Sequence, residues 1–274
     1  MGGTVAGLKG WRAVAASVIV AALAGGATFA ATPRPAAKAG GFVQRIPGVD
    51  ISGVWIVDDY VVSARPTAEK IIHPLDGGDV PLQPWALAVY KDRLSKDKTG
   101  DAFINTAAFC LPLGMPSMML GAFYPIEILQ TPGQVTTLHE EGHVHRQIFL
   151  NRRHDPDPDP GYLGESIGHW EGDTLVVDTI GLNGKTTLDI VGMPHSDQLH
   201  IVERIRRISH DKLENVMTFD DPKTFTRPWR YRRTYTLQAA DMHPAEYFCQ
   251  DGQINTPDPL TGRPTFPGAP AAPR

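Results

Sequence analysis

Residues 126–150 read IEILQTPGQVTTLHEEGHVHRQIFL, and residues 166–179 read SIGHWEGDTLVVDT. In both stretches apolar side chains return at every second position, the spacing of a strand with one buried face. Runs at Ile126 to Gln130, Gln134 to Leu138 and Val144 to Leu150 are separated by Pro132-Gly133 and Glu140-Glu141-Gly142. Runs at Ser166 to Trp170 and Thr174 to Thr179 flank Glu171-Gly172-Asp173. Short turns of this kind join antiparallel neighbours. The alternation recurs at Ile51 to Val57, Leu199 to Ile208, Leu213 to Phe219 and Trp229 to Leu237. A sheet of about nine antiparallel strands must close or pack on another to hide its edges, and a meander of hairpins favours closure. The expected fold is therefore all-β, a closed antiparallel barrel.

One helix is predicted from near Pro84, a residue suited to a first helical turn, with Leu87, Tyr90 and Leu94 on one stripe. Two longer connections, Asn151 to Gly164 and Gly181 to Gln198, are expected at the barrel mouth, where loops of this length are functional or disordered rather than structural. The first contains Asp-Pro-Asp-Pro-Asp-Pro.

Outward from the barrel, predicted to occupy residues 49–256 as a single domain, both ends change character. Residues 31–48 and the tail 257–274 are rich in Ala, Pro and Gly and read as tethers. Residues 1–30 have the three parts of a signal peptide: Lys9 and Arg12, an apolar run from Ala13 to Ala24, and the small-residue site Ala27-Thr28-Phe29-Ala30. That run is too short for a permanent membrane span, which takes roughly 20 residues. A periplasmic or secreted location is expected. Removing the leader takes two basic residues and no acid from a chain whose formal charge is already -4, which argues against nucleic acid as a partner. The only two cysteines, Cys110 and Cys249, would meet an oxidising compartment and are expected to pair.

The opening strand contains Gly53-Val54-Trp55, and the last contains Arg233. This resembles the calycin superfamily of lipocalins, avidins and fatty-acid-binding proteins, in which a Gly-x-Trp on the first strand packs beside an Arg from the last. A second resemblance covers roughly residues 50–250. It rests on Ser52-Gly53-Val54-Trp55, Cys110-Leu111-Pro112, the segment Ile126 to Gly133, Trp170 to Thr179, Pro194-His195-Ser196 and Val202-Glu203-Arg204. These are similar to a family of exported bacterial proteins of uncharacterised function, and they imply one exported domain without implying a chemistry. The chain departs from that pattern at Asn151-Arg152-Arg153-His154, where Asp-Gly-Arg-His is expected, and at His139, His143 and His145.

His139, Glu141, His143 and His145 form the first constellation with possible chemistry, because His at i and i+2 on a strand share a face and can share a metal. Parity sets His143 and His145 opposite Val144, Ile148 and Leu150, toward solvent, so no interior metal site is expected, and solvated surface histidines stand against a metal site at the hairpin tip as the two readings left. The same test places three charges inside: Arg146 with Val144, Ile148 and Leu150; Glu203 with Leu199, Ile201 and Ile205; Arg233 with Trp229, Tyr231, Tyr235 and Leu237. Buried charges have to pair or line a wet cavity. A structural ion pair with Arg233 stacked on Trp55 is one outcome; a ligand site is the other.

His195, late in the second long connection, is a candidate acid or base, with Glu203 or Asp197 to orient it. The opposing reading is a turn in which Ser196 and Asp197 bond locally. His154 is a second candidate. Gly164-Glu165-Ser166-Ile167-Gly168 matches a nucleophile elbow in letters but lacks the strand-turn-helix context. No phosphate loop, dinucleotide fingerprint, Cys-x-x-Cys or EF-hand loop occurs, and no cofactor is expected.

These residues fit a cofactor-independent isomerase, lyase or hydrolase holding a small, carboxylate-bearing molecule in the barrel. His195, Glu203 and Arg146 would be catalytic; Arg233, Trp55, His154 and Asp197 would bind. A lipocalin-type binding protein and a structural envelope protein with a filled barrel are the alternatives.

Overall fold

The computed structural model describes residues 49–58, 72–99, 106–120, 124–189, 191–247, 256–257 and 264–265. The signal peptide, the linker, Cys249 and most of the tail lie outside the described residues. Nine strands close into one barrel in sequence order. They are β1 (Gly53–Val57), β2 (Ile126–Thr131), β3 (Gln134–His139), β4 (Val144–Leu150) and β5 (Glu165–Glu171), then β6 (Thr174–Ile180), β7 (His200–Arg207), β8 (Lys212–Asp220) and β9 (Trp229–Leu237). Each lies on a run of period-2 alternation, and the turns Pro132-Gly133 and Gly172-Asp173 join strands paired directly at Thr131↔Gln134 and Glu171↔Thr174.

The ring is not wholly antiparallel. A closed ring with an odd number of strands cannot alternate direction all the way round, so one neighbouring pair must run parallel. That pair is β4 with β5, in register Ile148↔Ser166 and Leu150↔Gly168. Parallel neighbours need a long crossover. Asn151 to Gly164 is that crossover, returning along the barrel wall from the end of β4 to the start of β5. It is not the mouth loop expected from its length. Gly181 to Gln198 does stay at one end, between β6 and β7.

Residues of β1 explain their own motif. Gly53 has φ +132°, and a Cβ there would meet the Leu237 side chain at 2.7 Å, so only glycine fits. Trp55 is fully buried, and its Nε1 donates to the Ile51 carbonyl at 3.0 Å. The guanidinium over its ring belongs to Arg207 of β7, 5.4 Å from the centroid. Arg233 instead stands over the Tyr231 ring and donates to the Leu120 carbonyl. The stacking of Arg233 on Trp55 is thus corrected, because the short helix before β2 supplies Arg233 with a carbonyl acceptor.

That acceptor belongs to a plug. Met115 and the short helix α2 (Ser117–Leu120) are buried at the barrel end where β2 begins. Tyr235 Oη donates to the Met119 carbonyl at 3.1 Å, and Thr186 Oγ1 to that of Met115 at 2.9 Å. With Met119 inside, the lumen keeps a cavity of about 10 Å³ between Trp55, Arg146 and Asn215, on the order of one water molecule's room.

The helix α1 (Pro84–Thr99) starts where Pro84 suggested, but buries Ala86 and Tyr90 while Leu87 is exposed. Tyr90 Oη donates to Asp189 at 2.7 Å, and Arg93 reaches the Gly192 carbonyl, docking the helix on the Gly181 to Gln198 connection. These polar contacts fix its rotation. No helix among the described residues is long and apolar enough to cross a membrane.

Inside the ring, Arg146 and Glu203 are 1% and 0% exposed and form an ion pair. Arg146 also donates to Ser166 Oγ at 3.0 Å and Thr179 Oγ1 at 2.8 Å, and Asn215 Nδ2 donates to the other Glu203 oxygen at 2.9 Å. Glu203→Gln keeps the shape and strands the guanidinium in the core. Chemical denaturation is expected to show a loss of about 3 to 5 kcal/mol, against under about 1 for a surface pair.

Candidate functional site

The sites proposed from sequence separate into different places. Arg146 and Glu203 meet, but within a filled lumen. His195 is 5% exposed and bonds elsewhere: Nδ1 faces the Ser196 carbonyl at 2.9 Å and Nε2 faces Thr186 Oγ1 at 2.7 Å. Burial lowers its pKa; the neutral ring donates from Nδ1, and the Thr186 hydroxyl, which lies between Nε2 and the Met115 carbonyl, has one proton to share between them. Both nitrogens thus lie within hydrogen-bond distance of groups of their own connection. Asp197 points away, in an exposed pair with Lys223 at 2.8 Å that lowers its pKa. Asp221 holds the turn beside it by accepting from Ser196 N and Oγ, both at 2.7 Å.

A different cluster lies on the outer wall. The crossover brings His154 against β5 and β6, where Nδ1 is 2.7 Å from Glu165 Oε2 and Nε2 is 2.9 Å from Asp178 Oδ1. His200, the first residue of β7, places Nε2 2.9 Å from the same Asp178 oxygen. Glu165, Asp178 and His200 all point outward because Ser166, Thr179 and Ile201 point inward. The result is one chain, Glu165 to His154 to Asp178 to His200. Both nitrogens of His154 face carboxylate oxygens, so the ring bridges two acidic side chains.

The hydrogen bond from His200 holds the Asp178 carboxyl below its usual range despite partial burial, and the same bond raises the His200 imidazole. Side-chain exposures of 40% for His200 and 38% for Asp178 leave the pair open to solvent. Among the described residues His200 Nδ1 makes no hydrogen bond.

A third group gathers at the β3–β4 connection, a 3₁₀ turn over Glu141–His143. His139 is buried and its Nδ1 has no partner; burial, with Arg146 nearby, pulls its pKa down to about 3. Glu141 Oε2 is buried without a partner, and burial pushes that carboxyl up to about 7. His145 is exposed on β4, as its parity required, and His143 is exposed in the turn that precedes that strand. Among the described residues no three His, Cys, Asp or Glu side chains converge as metal ligands.

Glu165, Asp178 and His200 were not singled out from sequence. Their outward parity was readable, but their meeting depends on register across three strands and on where the crossover sets His154.

Glu141 carries the pH signature of this end. Its folded pKa lies above that of the unfolded chain, so ionisation costs stability progressively from about pH 4 upward, until the folded group too is ionised. A shift of this size corresponds to roughly 3 kcal/mol. Glu141→Gln is therefore expected to stabilise the protein at pH 8 by about 2 to 3 kcal/mol and to change little at pH 4. Denaturant melts at the two pH values measure this, and an equal effect at both would contradict the burial of an unpaired carboxyl.

No protein-family model matches the chain, and no curated protein matches its sequence.

Proposed function

We propose that the chain is an exported barrel enzyme of acid/base type, whose base is His200 oriented by Asp178 on the outer wall. The observation that carries this is the shared Asp178 oxygen, which engages Nε2 of His200 and leaves Nδ1 facing solvent. A carboxylate on one imidazole nitrogen fixes the tautomer and stabilises the imidazolium that forms when the other takes a proton. His154, braced by Glu165, donates to the same oxygen and helps keep Asp178 ionised. Arg146, Glu203 and Arg233 then serve the barrel that holds β5, β6 and β7 in register. Isomerisation, elimination and hydrolysis all use such a base, and none requires a cofactor.

Export is supported by the three-part leader and by the cysteine pattern. The chain has two cysteines and no described one is a free thiol. A Cys110–Cys249 disulfide fits an oxidising compartment. The second reading, a structural envelope protein, is supported by one observation among the described residues, the small lumen cavity of about 10 Å³ between Trp55, Arg146 and Asn215.

The dyad is tested by the rate at which diethyl pyrocarbonate modifies each histidine across the neutral pH range, read by peptide mapping. His200 is expected to show a midpoint above the ordinary value of about 6.5, falling in Asp178→Asn. Equal midpoints in the two proteins would sink the dyad. Any turnover found among small esters, lactones and carbon acids should drop about 10²- to 10⁴-fold in His200→Ala with the fold retained. Linkage gives a further check. The raised His200 contributes stability below about pH 6.5 that is lost as pH rises through its folded value, and the lowered Asp178 contributes above about pH 4. The pair therefore stabilises between these limits, and Asp178→Asn should lower the Tm most there.

A further inference from the structure

We propose that two buried water sites complete the barrel's interior, one under the plug between Glu141 and His139 and one in the lumen between Arg146 and Asn215. Each is a cavity of about 10 Å³, on the order of one water molecule's room. The first is bounded by Leu113, Gly114 and Met118 from the plug and by His139, Glu141 and Val144 from the β3–β4 connection. His139 shares the inward face of β3 with Val135 and Thr137 and is 5% exposed. Its Nε2 lies 3.0 Å from Thr137 Oγ1, which leaves Nδ1 as the ring nitrogen without a partner among the described residues. Glu141 Oε2, buried at the same cavity, is the second such atom. Water both donates and accepts, so one molecule meets the imidazole nitrogen in either tautomer and the carboxyl in either protonation state.

The lumen cavity is lined by apolar side chains, Trp55 and Met119 among them, and by Thr137, Arg146 and Asn215. Arg146 is 1% exposed and Asn215 0%. Ser166, Thr179 and Glu203, which accept from Nε and Nη2 of Arg146, do not border this cavity, so the unpartnered Nη1 is the nitrogen left to face it. Asn215 Nδ2 is likewise committed to Glu203, which leaves Oδ1. A donor and an acceptor therefore meet one small cavity. An anion there would oppose the amide oxygen and a cation would oppose the guanidinium, whereas a neutral molecule that accepts from one and donates to the other satisfies both. At this volume that molecule is water. A buried polar atom is costly unless something meets it, and two waters meet all four. Thr137 borders the lumen cavity and bonds His139, so the waters stand on either side of one histidine–threonine pair and tie the β3–β4 turn to the ion pair of the core.

A high-resolution crystal structure of the full mature chain tests both sites. A water peak is expected in each cavity, within hydrogen-bond distance of the two atoms named for it. In solution, magnetic relaxation dispersion of the solvent should detect long-lived internal waters. Glu141→Met combined with His139→Phe leaves the first cavity apolar, and apolar cavities of this kind stay dry, so that variant should release one of them. A dry cavity in the wild-type crystal, an ion in either one, or direct pairing of these atoms with protein groups overturns the proposal. So does a folded double variant that keeps its full complement of internal waters; if the variant does not fold, the wild-type crystal decides alone.

Discussion

The structure depends on closing an odd number of strands. Nine strands in a ring leave one pair parallel, and that pair, β4 with β5, obliges the chain to travel the length of the barrel between them. The crossover that does so carries His154. Its arrival on the outer wall is therefore a consequence of closure, and so is the hydrogen-bonded chain it completes with Glu165, Asp178 and His200. An even ring would have joined β4 to β5 by a hairpin and left those strands' outer faces bare.

Closure also creates an interior that must be filled or hydrated. Here it is filled from one end by Met115 and α2, whose carbonyls accept from Tyr235, Arg233 and Thr186. The charges that remain inside are matched: Glu203 is met by Arg146 on one oxygen and Asn215 on the other. Removing either charge from a pair desolvated to this degree strands its partner. On the wall, Asp178 and His200 are paired with each other and yet open to water. Interior and wall thus use the same residue types for opposite ends.

Several features collect at the end of the barrel where β2, β5, β7 and β9 begin. The plug, the Gly181 to Gln198 connection and the β3–β4 turn all lie there, and α1 is docked on that connection through Asp189. This end is rich in polar contacts because connections, unlike strands, satisfy their backbone groups through side chains such as Asp189 and Asp221. His195 is one of these fasteners, which is why a histidine in a long connection became a buried one.

Period-2 alternation determined nine strand positions, the closed barrel, and which side of the wall Arg146, Glu203 and His145 face, because parity is a local property that a one-residue slip would invert. Proline and glycine determined the hairpins and the start of α1. Everything that depends on distance between separated strands belonged to the tertiary structure. Sequence placed Arg146, Glu203 and Arg233 inside, but only the assembled ring decided that Arg146 takes Glu203 while Arg233 takes the Leu120 carbonyl. His154, Glu165, Asp178 and His200 stand on four separate segments, and no spacing along the chain measures the register that joins them. The same holds for the lumen: period-2 alternation marks an inward face, and only packing decides whether that face encloses space or, as here, closes on a methionine.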